Sequence, residues 1–104
     1  MVIKRNKVVI SFKARESLKS HIEYLKREVS EATASYIRNG ILDKCHQLKD
    51  FSGYSRERYL ENEPVEYRSV TKWNFNIIYT RNDDEIRILN IIHTSQHPSQ
   101  RKNI

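Results

Sequence analysis

The hydrophobic period of this chain changes once, from helical to extended, and that change dictates most of what it can become. Apolar residues fall at Ala14, Leu18, Ile22, Leu25 and Val29, in steps of four, four, three and four. That spacing lines one face of a helix. A second stripe follows at once: Ala34, Ile37, Ile41, Cys45 and Leu48. Ser30 stands between them, where its hydroxyl can accept from the free N–H groups of a first helical turn. Two helices with so short a connector form an antiparallel hairpin. Gly40 falls inside the second helix and costs it about 1 kcal/mol relative to alanine.

On either side of the hairpin the pattern is extended. Val8-Val-Ile-Ser-Phe12 is short and β-branched, which predicts a strand. Tyr67–Thr80 and Glu85–His93 read as two strands joined by a polar turn, Arg81–Asp84. With that turn, Thr80 faces Glu85, Ile78 faces Arg87 and Asn76 faces Leu89. Opposed residues share a sheet face. Trp73, Phe75, Ile77 and Tyr79 then join Ile86, Ile88, Asn90 and Ile92 on a nearly apolar face, which the helices should cover. Asn74, Asn76, Ile78 and Thr80 join Glu85, Arg87, Leu89, Ile91 and His93 on a mixed face, expected to be open. Between hairpin and strands, residues 50–66 are irregular and punctuated by Gly53 and Pro64. The expectation is an α+β domain spanning residues 1–104, a helical hairpin packed on a mainly antiparallel sheet of three to five strands.

Composition narrows the setting. No apolar run approaches the ~20 residues needed to span a bilayer. Met1-Val-Ile-Lys-Arg-Asn-Lys7 has charge but no apolar core of a signal peptide, so a cytoplasmic protein with no membrane partner is expected. The single cysteine, Cys45, permits no disulfide within the chain and sits at a core spacing. Net charge is +6 with a pI near 9.6. The first 28 residues carry eight Lys/Arg against three Glu, whereas residues 51–66 carry two Arg against four Glu. A basic protein suits an anionic partner, either nucleic acid or an acidic protein segment, and charge alone does not choose between them.

Few residues offer chemistry. His93 and His97 stand four apart, but Pro98 and the preceding strand argue against a helix there, and no Cys or carboxylate nearby completes a metal site. His93 alone is either an acid/base group at a strand end or a histidine that fixes the tail by hydrogen bonding. Arg68, Lys72 and Arg87 are the nearby cations, and a guanidinium on an open face could hold a phosphate in two bonds. Trp73, Phe75 and Tyr79, at even spacings along one strand face, could stack on bases, but on a core face they read as packing. Tyr54 and Tyr59 in the irregular stretch are better placed to meet a partner.

Tyr67-Arg-Ser-Val-Thr-Lys-Trp-Asn-Phe-Asn-Ile-Ile-Tyr-Thr80, the turn, and Glu85-Ile-Arg-Ile-Leu-Asn-Ile-Ile-His-Thr-Ser-Gln-His-Pro98, preceded by a strand and two helices, resemble the RelE/ParE family of toxins of type II toxin–antitoxin (plasmid stabilization) systems. The resemblance covers nearly the whole chain and is a diffuse pattern. It implies a cognate antitoxin whose acidic tail wraps and neutralises the toxin, and no cofactor. The family contains ribosome-dependent mRNA endonucleases and non-enzymatic inhibitors of DNA gyrase. The ribonuclease reading would use Arg68, Arg87 and His93 on the ribosome and its mRNA. The arginines that such members place near the segment resembling Ile77-Ile-Tyr79, and just beyond the last strand, fall here on Asn76 and Ser95, and neither carries charge. The ending Ile91-Ile-His93 looks closer to the ParE side, which implies inhibition through protein–protein contact. On that reading the partner-binding residues are Asn76, Arg87, Leu89, Ile91 and His93. A third reading is a basic nucleic-acid-binding domain without toxicity.

Overall fold

The computed structural model describes residues 7–54, 66–82 and 85–94. Strand β1 (Lys7–Ile10) leads into helix α1 (Phe12–Glu28), then α2 (Glu31–Gln47), β2 (Arg68–Lys72), β3 (Phe75–Arg81) and β4 (Glu85–His93). The sheet order is β1-β4-β3-β2. β1 runs parallel to β4, and the other two pairings are antiparallel.

Serines start both helices. The Ser11 hydroxyl accepts from Ala14 N and donates to the Leu89 carbonyl, so it caps α1 and ties it to β4. Ser30 accepts from Thr33 N and caps α2, as its position predicts. Between the caps, the N–H groups of Val29 and Ser30 both return to the Leu25 carbonyl, which leaves almost no connector. The stripes bury as their spacing requires, with one exception. Val29 is 60% exposed because it ends α1 as its C-cap.

Tyr67–Thr80 is not one strand but the end of a lead-in plus a hairpin, β2 and β3, whose turn is Trp73–Asn74. Trp73 therefore leaves the strand face expected for it and takes φ 53°, with 41% of its surface exposed. Positive φ at the first turn position is usually met by glycine. Here the indole packs on α2 at Gly40: a Cβ there would lie 2.2 Å from Trp73 Cη2. The glycine that weakens the helix makes room for the tryptophan that strains the turn. We expect Gly40→Ala to leave stability within about 1 kcal/mol of wild type, since the helix gains roughly what the displaced indole loses. Emission from this sole tryptophan should shift to the red as the ring swings into solvent. Unchanged emission would mean that the indole does not rest on Gly40.

The β3–β4 register also departs from expectation. Thr80 faces Arg87, Ile78 faces Asn90 and Asn76 faces Ile92. Two effects cause this. Pairing continues one step closer to the turn: Arg81 faces Ile86, and Asn82 N donates to Glu85 O. This slips the register by two, which preserves faces. Beyond it, a bulge at Ile78/Tyr79 leaves Leu89 without a partner in the ladder. One extra residue moves every later side chain of β4 to the opposite face.

Ile86 and Ile88 thus stay on the hairpin face with Phe75, Ile77 and Tyr79, while Ile91 joins that core and Asn90 and Ile92 leave it. The outer face is not simply open. Ile78 and Ile92 are fully buried there, with Tyr67 packed against them.

Candidate functional site

The face change made by the bulge carries on to the end of β4, beside the Trp73 turn. By crossing to the hairpin face, His93 comes opposite Phe75 and beside His21 of α1. Trp73, stacked near Tyr36 and Gly40, walls the other side. Between them lies a cleft of about 510 Å³, lined by His21, Tyr24 and Leu25 of α1, Thr33 and Ile37 of α2, and residues from Trp73 to Phe75 with His93. Its walls are mainly aromatic and aliphatic, with two imidazoles, an amide and the hydroxyls of Tyr24 and Thr33 as polar groups. Lys72 lies over the indole, 4.5 Å from the ring centroid.

A second concavity, about 320 Å³, runs along the hairpin beside β1. Its apolar lining includes Ile10, Leu18, Ile22 and Leu42. Arg15, Lys19, Lys26 and Arg38 line it too, against the single carboxylate of Glu23. Arg15, Lys19 and Lys26 come from the basic N-terminal stretch, and Arg38 is added by α2. Such a combination suits an acidic segment with apolar side chains.

The residues expected to carry ribonuclease chemistry are dispersed. Arg68 pairs with Tyr79 in the ladder, on the hairpin face. Its guanidinium bonds the Tyr54 carbonyl and the Glu66 carboxylate, and its buried Nε meets no acceptor among the described residues. It anchors the stretch after α2 to the sheet. Arg87 pairs with Thr80 on the outer face, where two of its nitrogens bond Glu85 Oε1 at 2.9 and 3.1 Å. With Arg87 half exposed, that pair contributes little to stability. His93 stands opposite Phe75, four ladder positions along β3 from the Arg68–Tyr79 pair. At ~3.3 Å per residue this separates Arg68 and His93 by about 13 Å along the strand.

The expected partner face divides as well. Asn76 and Arg87 lie on the outer face, Leu89 is the half-buried bulge residue, and Ile91 is fully buried in the hairpin-side core. Tyr54 is not available in the way its irregular setting suggested. It packs on the core, its hydroxyl accepts from Lys44 Nζ, and its ring meets Phe51 edge-on. Tyr59, Ser95 and His97 lie outside the described residues.

Cys45 and Tyr79, both in the core, titrate away from their usual range. Burial pushes the Cys45 thiol up from 9.0 to about 12, opposed in part by a backbone hydrogen bond. Burial also raises the Tyr79 phenol, whose hydroxyl donates to the Ser52 carbonyl at 2.6 Å. Neither lines either of the two clefts described above. Among the described residues no three His, Cys, Asp or Glu side chains gather as a metal cluster, and no helix is long and apolar enough to cross a membrane.

His21 was the residue that sequence reasoning overlooked. It lies next to the buried stripe position Ile22, and only the bulge brings a second imidazole beside it. Trp73 was assigned to the wrong element because no Gly, Pro or Asn-Gly pair announces its turn.

The comparisons agree with this architecture. The chain is similar in fold to a chain of the chromosomal ParDE TA system from P. aeruginosa, with a TM-score of 0.70 and 18% identity over 86% of this chain and 96% of that one. Among curated proteins, none matches. The family model described as "ParE toxin of type II toxin-antitoxin system, parDE" matches residues 8–98, nearly the whole chain. A helical hairpin on a four-stranded sheet, continuous with that match from β1 to beyond β4, makes this chain a member of the ParE toxin family.

Proposed function

We propose that this toxin arrests growth by binding a protein target of the DNA gyrase type, and that it does not cleave RNA. One observation carries the reading: Arg68, Arg87 and His93 do not converge. Cleavage by attack of a 2′-oxygen needs cations and a proton-transfer group within hydrogen-bond reach of one phosphate. Here one cation lies on the opposite face of the sheet, and the other is engaged by Tyr54 and Glu66 at a distance from His93. A toxin that acts by contact needs no such convergence, only complementary surface.

The cognate partner is an antitoxin with an acidic tail. The net charge of +6 and the basic hairpin groove supply the complementary potential. Asn76 and Arg87 on the outer face, beside the bulge at Leu89, remain the sheet residues we assign to partner contact. Ile91 supports that surface from the core, and His93 belongs to the opposite side. Hydrogen exchange on the toxin–antitoxin complex should show slowed exchange along the hairpin groove and at outer-face backbone positions near Asn76 and Arg87.

Induced expression with separate measurement of DNA supercoiling and translation tests the mechanism. Loss of plasmid supercoiling ahead of any fall in translation is the expected result. Site-specific mRNA cleavage on ribosomes with supercoiling intact would replace this reading with the endonuclease. Growth unaffected by soluble protein at matched levels would leave a nucleic-acid-binding domain as the better account.

A further inference from the structure

We propose that His21 and His93 together bind one divalent transition-metal ion in the cleft between the helical hairpin and the end of the sheet. The two imidazoles come from α1 and from the last residue of β4, with ring centroids 5.7 Å apart and planes inclined by 34°. Two histidines that share a metal, each nitrogen ~2.0–2.1 Å from it, place their ring centroids roughly 5–6 Å apart. The observed centroid spacing falls within that range.

The pair is built, not incidental to a crowded surface. Both rings meet the same buried phenyl edge-on, His21 at 5.4 Å and His93 at 5.1 Å from the Phe75 centroid. That shared contact packs both rings against one buried residue. His93 reaches this position only because the bulge at Leu89 moves it to the hairpin face. Both residues are half-buried, so they are sheltered without being closed off. The cleft they line leaves room for the remaining coordination positions.

The donor set selects the class of ion. Among the described residues no carboxylate lines this cleft and no third protein ligand joins the histidines. Two neutral imidazoles suit copper(II), nickel(II) or zinc, with copper the tightest, and do not suit calcium or magnesium. Water, or a group brought by a partner, fills the other positions. A hydrogen bond at the second ring nitrogen is compatible with this role, since metal-bound histidines ordinarily donate that N–H to a neighbour. The ion would join α1 to the end of β4 and stabilise the native state by mass action.

The test uses tag-free full-length protein and the metal alone. Copper(II) added below one equivalent should broaden the imidazole NMR signals of His21 and His93 before those of His46 and His97. Titration should saturate at one ion per chain. His21→Gln and His93→Gln should each weaken binding at least about 10-fold, whereas His46→Gln, on the exposed side of α2, should not. The proposal is overturned if His21→Gln binds like wild type, or if His46 broadens together with His21. It is equally overturned if only His93→Gln and His97→Gln weaken binding, which would place the ion on the tail. The broadening order is read on the wild-type chain, so it decides the matter even where a variant folds poorly.

Discussion

Ile88→Ala and Ile91→Ala should each lower the unfolding free energy by about 2–5 kcal/mol, while Arg87→Ala, in the same strand, should change it by no more than roughly 0.5 kcal/mol. Ile88 and Ile91 are both fully buried in the hairpin-side core, opposite Tyr79 and Ile77 respectively. Truncation to alanine removes apolar contact from each and leaves a cavity that the two layers close only in part. Arg87 loses a half-exposed ion pair with Glu85 and keeps its backbone pairing. The Ile91 variant is the informative one. In an unbroken strand, residues three apart lie on opposite faces, so Ile88 and Ile91 could not share a core. If urea unfolding finds Ile91→Ala as mild as Arg87→Ala, the bulge at Leu89 is not present in solution. The cleft assignment of His93 would then fall with it.

The same bulge marks where the sequence stopped being legible. The helical stripes, the Ser30 cap, the hairpin, the first strand and the α+β class follow from spacings that the core enforces directly. Ile86 and Ile88 were placed on the correct face even though the turn was one pair too wide, because a slip of two residues leaves faces unchanged. Beyond Leu89, alternation gave the opposite answer. Asn90, Ile91 and Ile92 are nearly uniform in hydropathy apart from the asparagine, and both faces there bury an isoleucine. No polar–apolar contrast was left to report the frame shift. Asn90 is the trace of it, since its side-chain oxygen accepts from the neighbouring Ile91 N. Trp73 was misplaced for a related reason. An aromatic residue reads as strand, and its unfavourable backbone is compensated by Gly40, 33 residues earlier in the chain. The functional consequence is direct. The candidate catalytic residues looked close in sequence, and the ladder separates them.

Modification of Cys45 in the native protein at pH 8 should run about 10³-fold slower than in urea, and folding stability should decline on the alkaline side. The thiolate is the reactive species. With the thiol at about 12 in the folded chain and 9.0 as its ordinary value, the thiolate fraction at pH 8 falls by about 10³ on folding, before any steric protection is counted. Full burial against the Ile41 and Leu48 layer adds that protection. The sign of the stability effect follows from the same shift. The folded thiol holds its proton more tightly than the unfolded one. Its contribution is therefore complete below pH 9 and is lost as pH rises from 9 toward 12. At about 1.4 kcal/mol per pH unit, the loss near pH 10.5 is roughly 2 kcal/mol. Tyr79 acts in the same direction above pH 10, because burial raises its phenol too. Cys45→Ala isolates the thiol: its stability should fall less steeply between pH 9 and 10.5 than that of wild type, although the variant starts from a lower value because of the cavity. Parallel declines for the two proteins would assign the alkaline limb to Tyr79 instead. Rapid native modification at pH 8 would show that α2 opens locally at Cys45, and a helix that opens there could not hold Gly40 against Trp73 or keep the wall of the cleft in place.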